Sequence, residues 1–149
     1  MDTRLWMPGN LEIRGVLAAP PCTIFAVSGA RWWEDKGEPA LLEGLSVVDA
    51  CLRIIMVTQP KWWVLENPIG RLRHYIGAPV ATFQPWQYGD GYQKATQLWG
   101  DFNMPEPSCP VKPPDTDQRI HLAAPGPGRA RFRSMTPPGF ARAFMEANP

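Results

Sequence analysis

The chain has 149 residues, of which 44% are hydrophobic, so we expect one domain with a buried core rather than a disordered chain. Its 15 basic and 14 acidic side chains nearly cancel, and a net charge of +1 neither requires nor excludes a nucleic-acid partner. No apolar run reaches the roughly 20 residues that span a bilayer, and the amino terminus lacks the pattern of a secretory signal peptide. These features predict a cytoplasmic protein with no membrane partner.

The cysteines and histidines are too scattered to predict a disulfide framework or a metal site. Cys22, Cys51 and Cys109 are odd in number and widely spaced, and His74 and His121 have no ligand-like neighbours. We therefore expect no bound metal.

The first half of the chain predicts a strand, a helix and a second strand. Residues 12–19 end in a short apolar run that suits a buried parallel strand, and two prolines stop it. Residues 62–65 predict a second strand, closed by the sequence ENP. Between them, residues 38–57 predict a helix, because five apolar residues recur at helical spacing. These are Leu41, Leu45, Val48, Leu52 and Ile55. Cys51 lies beside this stripe and is interpreted as a core thiol. The order predicts a parallel βαβ unit.

Shorter elements follow. Residues 69–77 predict a short helix or turn with a basic face, and two further strands are expected at 80–83 and 96–100. The whole chain is interpreted as a single domain whose βαβ core covers 1–104.

The end of the chain is rich in proline before it becomes helical. Residues 105–128 predict a long irregular loop. Residues 129–149 predict a C-terminal helix that Thr136 caps and that buries Phe140 and Phe144.

A thiol and a carboxyl follow the two predicted parallel strands. Ligands of such sheets bind outside the carboxyl ends of the strands, so Cys22 and Glu66 are expected to face one crevice. A thiolate can add to a carbon of an electron-poor ring, while a carboxyl group on a ring nitrogen absorbs the developing charge. The alternative interpretation is purely structural: a buried thiol, and a carboxylate that caps a helix or braces a loop.

Several stretches carry a resemblance to a known family. The sequence PPCTIF, followed by a helix and then VLENP, resembles the two central motifs of DNA cytosine-5 methyltransferases. The longer stretches are similar to the short members of that family in bacteriophages and prophages: PPCTIFAVSGARWW, WWVLENPIGRL, PWQYGDGYQKATQLWG and RSMTPPGFARAF. The resemblance implies an α/β fold, namely a partial Rossmann-like (class I methyltransferase) parallel sheet with flanking helices. It also implies a phage or prophage gene in a bacterial host.

The resemblance implies roles for particular residues. Cys22 would add to carbon 6 of cytosine, and Glu66 would contact ring nitrogen 3 and the amino group. Addition would make carbon 5 nucleophilic enough to take a methyl group from S-adenosylmethionine, once the base has left the duplex. Further contacts to the target nucleotide are expected from Pro21, Thr23, Ser28, Arg31, Asn67, Lys94 and Thr96.

A third family motif, Gln-x-Arg-x-Arg after a Tyr-Gly, is only partly kept. Lys94 takes the position of the first arginine and Thr96 that of the second. Lys94 can donate to a base carbonyl or a phosphate, but only as a point charge without the fork of an arginine.

Clusters of arginine predict contacts to DNA phosphates. Residues 119–149 hold five arginines and one acidic residue. The expected phosphate contacts are Arg71, Arg73, Arg131 and Arg133. The alternative is an ordinary solvated charged surface.

The cofactor site of the family begins with a strand and a glycine-rich turn far upstream of the nucleophile, whereas 21 residues precede Cys22. We therefore expect the first three strands of the fold to be missing and residues 12–19 to form a sheet edge. A homodimer, a separate cofactor-binding subunit or the N-terminal segment with Leu5, Trp6 and Met7 could cover that edge. Three explanations stay open: a split enzyme, a catalytically silent relative that binds DNA or a partner, or a piece of a longer product. An enzyme for free pyrimidine nucleotides is a weaker alternative.

Overall fold

The part of the chain that the structure describes forms helices and one small sheet, joined by loops. The computed structural model describes residues 2–122, 126 and 128–149. Two compact units are formed, the first by Met1–Ala81 with Thr96–Phe102 and the second by Thr82–Ala95 with Asn103–Pro149. The strands are β1 (Gly15–Ala18), β2 (Trp62–Pro68), β3 (Ala81–Phe83) and β4 (Thr96–Asp101). The helices are α1 (Trp33–Thr58), α2 (Arg73–Ile76), α3 (Arg119–Leu122), α4 (Arg129–Ser134) and α5 (Pro138–Ala147).

The sheet is mixed. Strands β1 and β2 run parallel, with Gly15 opposite Trp62 and Ala18 opposite Leu65, and α1 connects them. The predicted parallel βαβ unit is therefore confirmed. Strand β4 runs antiparallel to β2, and the strand order is β1-β2-β4-β3. The sheet thus differs from the wholly parallel one that was expected, and β1 lies at its edge.

Helix α1 begins five residues before the predicted start. Its first turn ends at Gly37, where a φ of 65° kinks the backbone, and the long apolar segment follows. The predicted helix over 38–57 is confirmed beyond that kink. The helix ends at Gln59, whose left-handed backbone directs its N–H to the carbonyl of Ile55 at 2.9 Å.

Strand β2 extends further than the sequence predicts. Its pairing with β4 continues to Pro68, which lies opposite Thr96. Proline is tolerated at the end of a strand because its missing N–H interrupts no interior ladder bond. Glu66 and Asn67 therefore lie within the strand and not in a loop after it.

The core of the first unit lies between α1 and one face of the sheet. Val48 and Cys51 of α1 pack with Leu65 of β2 and Trp99 of β4. Cys51 is 7% exposed, which confirms it as a core thiol, and burial raises the pKa of that thiol.

An aromatic cluster forms the core of the second unit. Phe140 of α5 stacks on Phe83 with ring centroids 3.7 Å apart, and it meets the ring of Tyr88 edge-on at 5.1 Å. The Tyr88 hydroxyl donates to the carbonyl of Pro105 at 2.9 Å. Burial is the main cause that raises the pKa of Tyr88, and the charge of Glu106 adds to it.

The end of the chain forms two helices, α4 and α5, where one was predicted. Thr136 does not cap α5, because Pro137 occupies the N-cap position and makes no side-chain cap bond. The Asp90 carboxylate instead accepts a hydrogen bond from the Gly139 N–H at 2.9 Å, which satisfies a donor in the first turn.

The proline-rich segment is irregular over 105–118 and then forms the short helix α3. Residues 123–125 and 127 of the predicted loop lie outside the described residues. No helix in the described part of the chain is both long and apolar enough to cross a membrane.

Candidate active site

Cys22 lies in a tight turn that follows β1. We call residues 20–27 the Cys22 turn. Two prolines carry the chain out of the sheet, and Cys22–Ile24 form a 3-10 turn. The Cys22 carbonyl accepts hydrogen bonds from the N–H groups of Phe25 at 3.0 Å and Ala26 at 2.8 Å. Cys22 itself is half-buried.

Side chains from three other segments of the first unit donate to carbonyls of the Cys22 turn. The bonds are Asn67 Nδ2 to Pro20 O at 3.1 Å, Lys36 Nζ to Thr23 O at 2.8 Å, and Arg71 Nε to Ile24 O at 2.8 Å. Each donor comes from a different element or loop. The turn that carries the thiol is therefore fixed to β2, to α1 and to the loop after β2.

The loop after β2 also pairs with the Cys22 turn through the backbone; we call residues 69–71 the β2 loop. The Val27 N–H donates to the Ile69 carbonyl at 2.8 Å, and the Arg71 N–H donates to the Phe25 carbonyl at 2.9 Å. Between these bonds, Ala26 and Gly70 form an isolated β-bridge. The segments that follow the two parallel strands are thus joined to each other.

Two glycines make this close packing possible, and neither was singled out from the sequence. A Cβ at Gly70 would lie 1.9 Å from the Phe25 carbonyl oxygen. A Cβ at Gly44 of α1 would lie 2.5 Å from the side chain of Ile24. The only sequence signal for Gly70 is its place in a turn after ENP, and Gly44 gives none, because a helical glycine has many causes.

Glu66 and Asn67 point to opposite faces of the sheet, because successive side chains of a strand alternate. Asn67 shares its face with Leu65, which packs in the core with α1, so Glu66 lies on the other face. Both are buried, with exposed fractions of 8% and 1%. The Asn67 Oδ1 atom is buried without a hydrogen-bond partner.

Thr96 shares the face of Glu66. It lies opposite Pro68 in the β2–β4 pair, and Pro68 is two residues from Glu66 along the strand. Its exposed fraction is 1%. The structure thus brings Cys22, Glu66, Asn67 and Thr96 to one end of the sheet in the first unit.

Other residues expected to contact the nucleotide lie on the surface near this turn. Pro21 and Thr23 are exposed on the Cys22 turn, and Ser28 and Arg31 are exposed on the 3-10 segment Val27–Trp32 that follows. The Arg31 guanidinium lies over the ring of Trp32 at 5.1 Å.

Arg71 and Arg73, which both were expected at phosphates, have different surroundings. Arg71 is half-buried and donates to the Cys22 turn, and its guanidinium lies 4.4 Å from the centre of the Trp33 ring. Arg73 is exposed in the first turn of α2.

The remaining predicted contacts belong to the second unit. Lys94 is 7% exposed, its ammonium donates to the carbonyl of Met135 at 2.8 Å, and its N–H donates to Gln84 Oε1 at 3.0 Å. Arg131 is exposed and Arg133 half-buried on α4. Within the residues that the structure describes, no group of three histidine, cysteine or acidic side chains could hold a metal ion.

The fold and the site define an α/β protein with a half-buried thiol after one parallel strand and a buried carboxyl near the end of the next. Such a pair suits nucleophilic addition to a ring that is protonated as it is attacked.

Comparison with known proteins finds a viral relative. No family model matches the chain. It is similar to a viral protein named probable DNA (cytosine-5)-methyltransferase, from Frog virus 3 (isolate Goorha), at 32% identity over 140 residues. The alignment covers 80% of this chain and 65% of the relative, so the chain spans just under two thirds of that protein's length.

The resemblance predicted from the motifs is therefore confirmed: the chain is similar, over part of that protein's length, to a viral protein named as a probable DNA (cytosine-5)-methyltransferase.

Proposed function

We propose that the chain is a cytosine-5 methyltransferase-like protein in which Cys22 attacks cytosine and Glu66 assists. The observation that supports this most is the joining of the Cys22 turn to the β2 loop, directly after the strand that carries Glu66. Because the two segments are joined by backbone bonds, we expect the thiol and the carboxyl to keep a fixed relation within one unit.

The chemistry that these residues can perform is an addition. The Cys22 sulfur forms a bond to carbon 6 of cytosine, and the electrons of the 5,6 double bond move to the bond between carbons 4 and 5. The π electrons of the double bond between carbon 4 and nitrogen 3 move to nitrogen 3, which takes a proton from the Glu66 carboxyl. Carbon 5 of the resulting enamine is nucleophilic. It can take a proton from water, and nitrogen 3 then returns its proton to the Glu66 carboxylate. Loss of the hydrogen that carbon 5 first carried, as a proton, expels the Cys22 sulfur and restores cytosine.

The methyl donor that the family implies is S-adenosylmethionine, which would supply an electrophilic methyl group to carbon 5. In the described part of the first unit, β1 is followed by two prolines, and β2 ends at Pro68 and is followed by the β2 loop. These turns do not fit the glycine-rich turn with which the cofactor site of the family begins. The binding of the donor is therefore not assigned to the described residues of this chain, and we propose that a separate subunit supplies it.

DNA is the substrate that we propose, with phosphate contacts from Arg73, Arg131 and Arg133. The last part of the chain favours this, because residues 119–149 hold five arginines and one acidic residue. Pro21, Thr23, Ser28 and Arg31 would contact the target nucleotide. Further contacts would come from Asn67, Lys94 and Thr96. The same basic segment also supports the second candidate, a relative that binds DNA or a partner without methylating.

Hydrogen exchange at carbon 5 tests the addition without any methyl donor. DNA that carries tritium at carbon 5 of cytosine is incubated with the chain, and tritium release into water is measured. We expect release by the wild type, a fall to background in Cys22→Ser, and a large loss in Glu66→Gln. Cys109→Ser is the matched control, since Cys109 is also half-buried but lies in the second unit.

Addition of S-adenosylmethionine then separates the two candidate functions. Formation of 5-methylcytosine that depends on Cys22 supports a complete methyltransferase. Tritium release without methylcytosine supports a catalytic half that needs a partner. DNA binding with neither product would rule out the enzyme and favour the silent relative.

A further inference from the structure

Arg71 contacts both the Cys22 turn and the first residue of α1, which follows further along the chain. Its Nε donates to the Ile24 carbonyl within the Cys22 turn at 2.8 Å. Its guanidinium carbon lies 4.4 Å from the centre of the Trp33 ring, at the first residue of α1. Its own N–H donates to the Phe25 carbonyl at 2.9 Å. One residue of the β2 loop therefore holds the turn and the start of the helix that follows it.

These contacts suit arginine and no other cation. A guanidinium is planar, so it can donate in its plane while its face stacks on an indole. A lysine ammonium has no face to stack and no second nitrogen in a fixed position. The geometry thus depends on the shape of the Arg71 side chain as well as on its charge.

The surroundings of Arg71 do not resemble a purely structural ion pair. The Nη2 atom is buried without a hydrogen-bond partner, and none of the ion pairs between described residues involves Arg71. A buried charged donor that lacks a partner destabilises the folded state. An apolar side chain of similar length would pack against Trp33 without that penalty, but it could not donate to Ile24.

We propose that Arg71 is a positioning residue for Cys22 and not a phosphate contact. It fixes the Cys22 turn and the first turn of α1 against the β2 loop, so that the thiol keeps its place beside the strand that carries Glu66. Arg73, two residues later and exposed, is the phosphate-binding member of the pair. The consequence for cytosine rests on the proposed function, but the effect on the thiol does not.

Alkylation of Cys22 tests the proposal on the chain alone, without DNA or cofactor. Iodoacetamide labelling is followed by peptide mass spectrometry from pH 7 to 9 in the wild type and in Arg71→Met. Loss of a charged hydrogen bond should free the turn and raise the Cys22 rate about tenfold. The Cys109 rate in the same samples should not change, because Cys109 lies in the second unit.

Three further variants separate shape, charge and position. Arg71→Lys keeps the charge but not the fork, so its Cys22 rate should stay as high as that of Arg71→Met. Arg73→Met should leave the Cys22 rate unchanged. Should Arg71→Met fail to give a cooperative thermal melt, Trp33→Phe replaces it. That variant keeps a ring at position 33 and should raise the rate about two- to threefold through weaker stacking.

Salt dependence of DNA binding tests the division of roles. The slope of log affinity against log salt should fall by about 0.9 in Arg73→Met, as for one lost phosphate contact, and should stay unchanged in Arg71→Lys and Arg71→Met.

The proposal is overturned if a folded Arg71→Met variant labels at Cys22 like the wild type, if Arg71→Lys restores the wild-type rate, or if Arg71→Met lowers the salt slope. A wild type that releases no tritium from DNA would refute the proposed function, yet the labelling result for Arg71 would still be decided.

Discussion

The first unit and the second unit each use a buried asparagine to tie distant backbone segments, but the two amides are satisfied to different degrees. Asn148 accepts from the Asn103 N–H at 2.8 Å and donates to the carbonyls of Asn103 and Phe144, both at 2.9 Å. Asn67 donates to the Pro20 carbonyl, and its Oδ1 has no partner. A fully bonded buried amide stabilises a fold, whereas a half-bonded one contributes little net stability. The difference indicates that Asn148 stabilises the fold, whereas Asn67 mainly holds the Cys22 turn in position.

The aromatic cluster should give the largest effect on stability, because the described residues of the second unit form no sheet of their own to support α5. Phe140 is 2% exposed and stacks on Phe83. Phe140→Ala should lower the free energy of unfolding by about 3–5 kcal/mol, as measured by urea denaturation. Phe132→Ala, at a residue that is 38% exposed on α4, is the control and should cost much less. Equal effects would show that the cluster is not the core of this unit.

Alanine variants of two glycines test whether a steric clash changes the reactivity of the Cys22 thiol or only the stability of the fold. A Cβ at Gly70 would lie 1.9 Å from the Phe25 carbonyl oxygen, and one at Gly139 would lie 2.0 Å from that of Tyr88. Each alanine variant should lose roughly 2–3 kcal/mol of stability, since backbone must move. Only Gly70→Ala should also change the labelling rate of Cys22. Gly91→Ala, with no atom within 4 Å of the added Cβ, is the control.

If Gly139→Ala alters Cys22 labelling as strongly as Gly70→Ala does, global destabilisation and not the β2 loop would explain both results.

The two asparagines give a smaller but more selective contrast. Asn148→Leu removes a fully bonded amide and should cost about 1–3 kcal/mol in a urea melt. Asn67→Leu also removes an unsatisfied buried oxygen, so it should cost less than about 1 kcal/mol while raising the Cys22 labelling rate. A larger stability loss for Asn67→Leu than for Asn148→Leu would contradict the assignment of Asn67 to placement.

Periodicity predicted the elements that have strong local signals. The helix over 38–57 and the order strand, helix, strand were readable because apolar spacing and proline stops are local properties. The mixed direction of the sheet could not be predicted, because the residues of β4 that pair with β2 lie 28 (Pro68 to Thr96) to 38 (Trp63 to Asp101) positions further along the chain. The same pairing extends β2 through Pro68, where a proline in the sequence had indicated the end of the strand.

The sequence could predict the residues of the candidate site that would perform chemistry, but not the residues that hold them in place. Cys22 and Glu66 could be singled out because a thiol and a carboxyl follow predicted strands, and their roles stay predictions. The contacts of Arg71 and Lys36 with the turn depend on backbone carbonyls of other segments, which no residue pattern records. Thr136 was expected to cap α5 from its neighbouring position, but Asp90 binds the Gly139 N–H from 49 residues away.

Alkaline pH should lower the free energy of unfolding, and this effect should be the smallest of those predicted. It should act through one buried group in each unit. Burial raises the pKa of the Cys51 thiol in the first unit above its ordinary value of 9.0, and that of Tyr88 in the second above 10.0. The folded state therefore keeps protons that the unfolded state releases, and stability falls as pH rises. The loss should begin above pH 9 through Cys51 and continue above pH 10 through Tyr88.

Urea melts between pH 8 and 11 measure this loss. Cys51→Ala should flatten the early part of the decline and Tyr88→Phe the later part, whatever each substitution does to stability at pH 8. Cys109→Ala should leave the profile unchanged. If Cys51→Ala keeps the early decline, the buried thiol is not its source, and lysines or exposed cysteines of the unfolded chain would have to be considered instead.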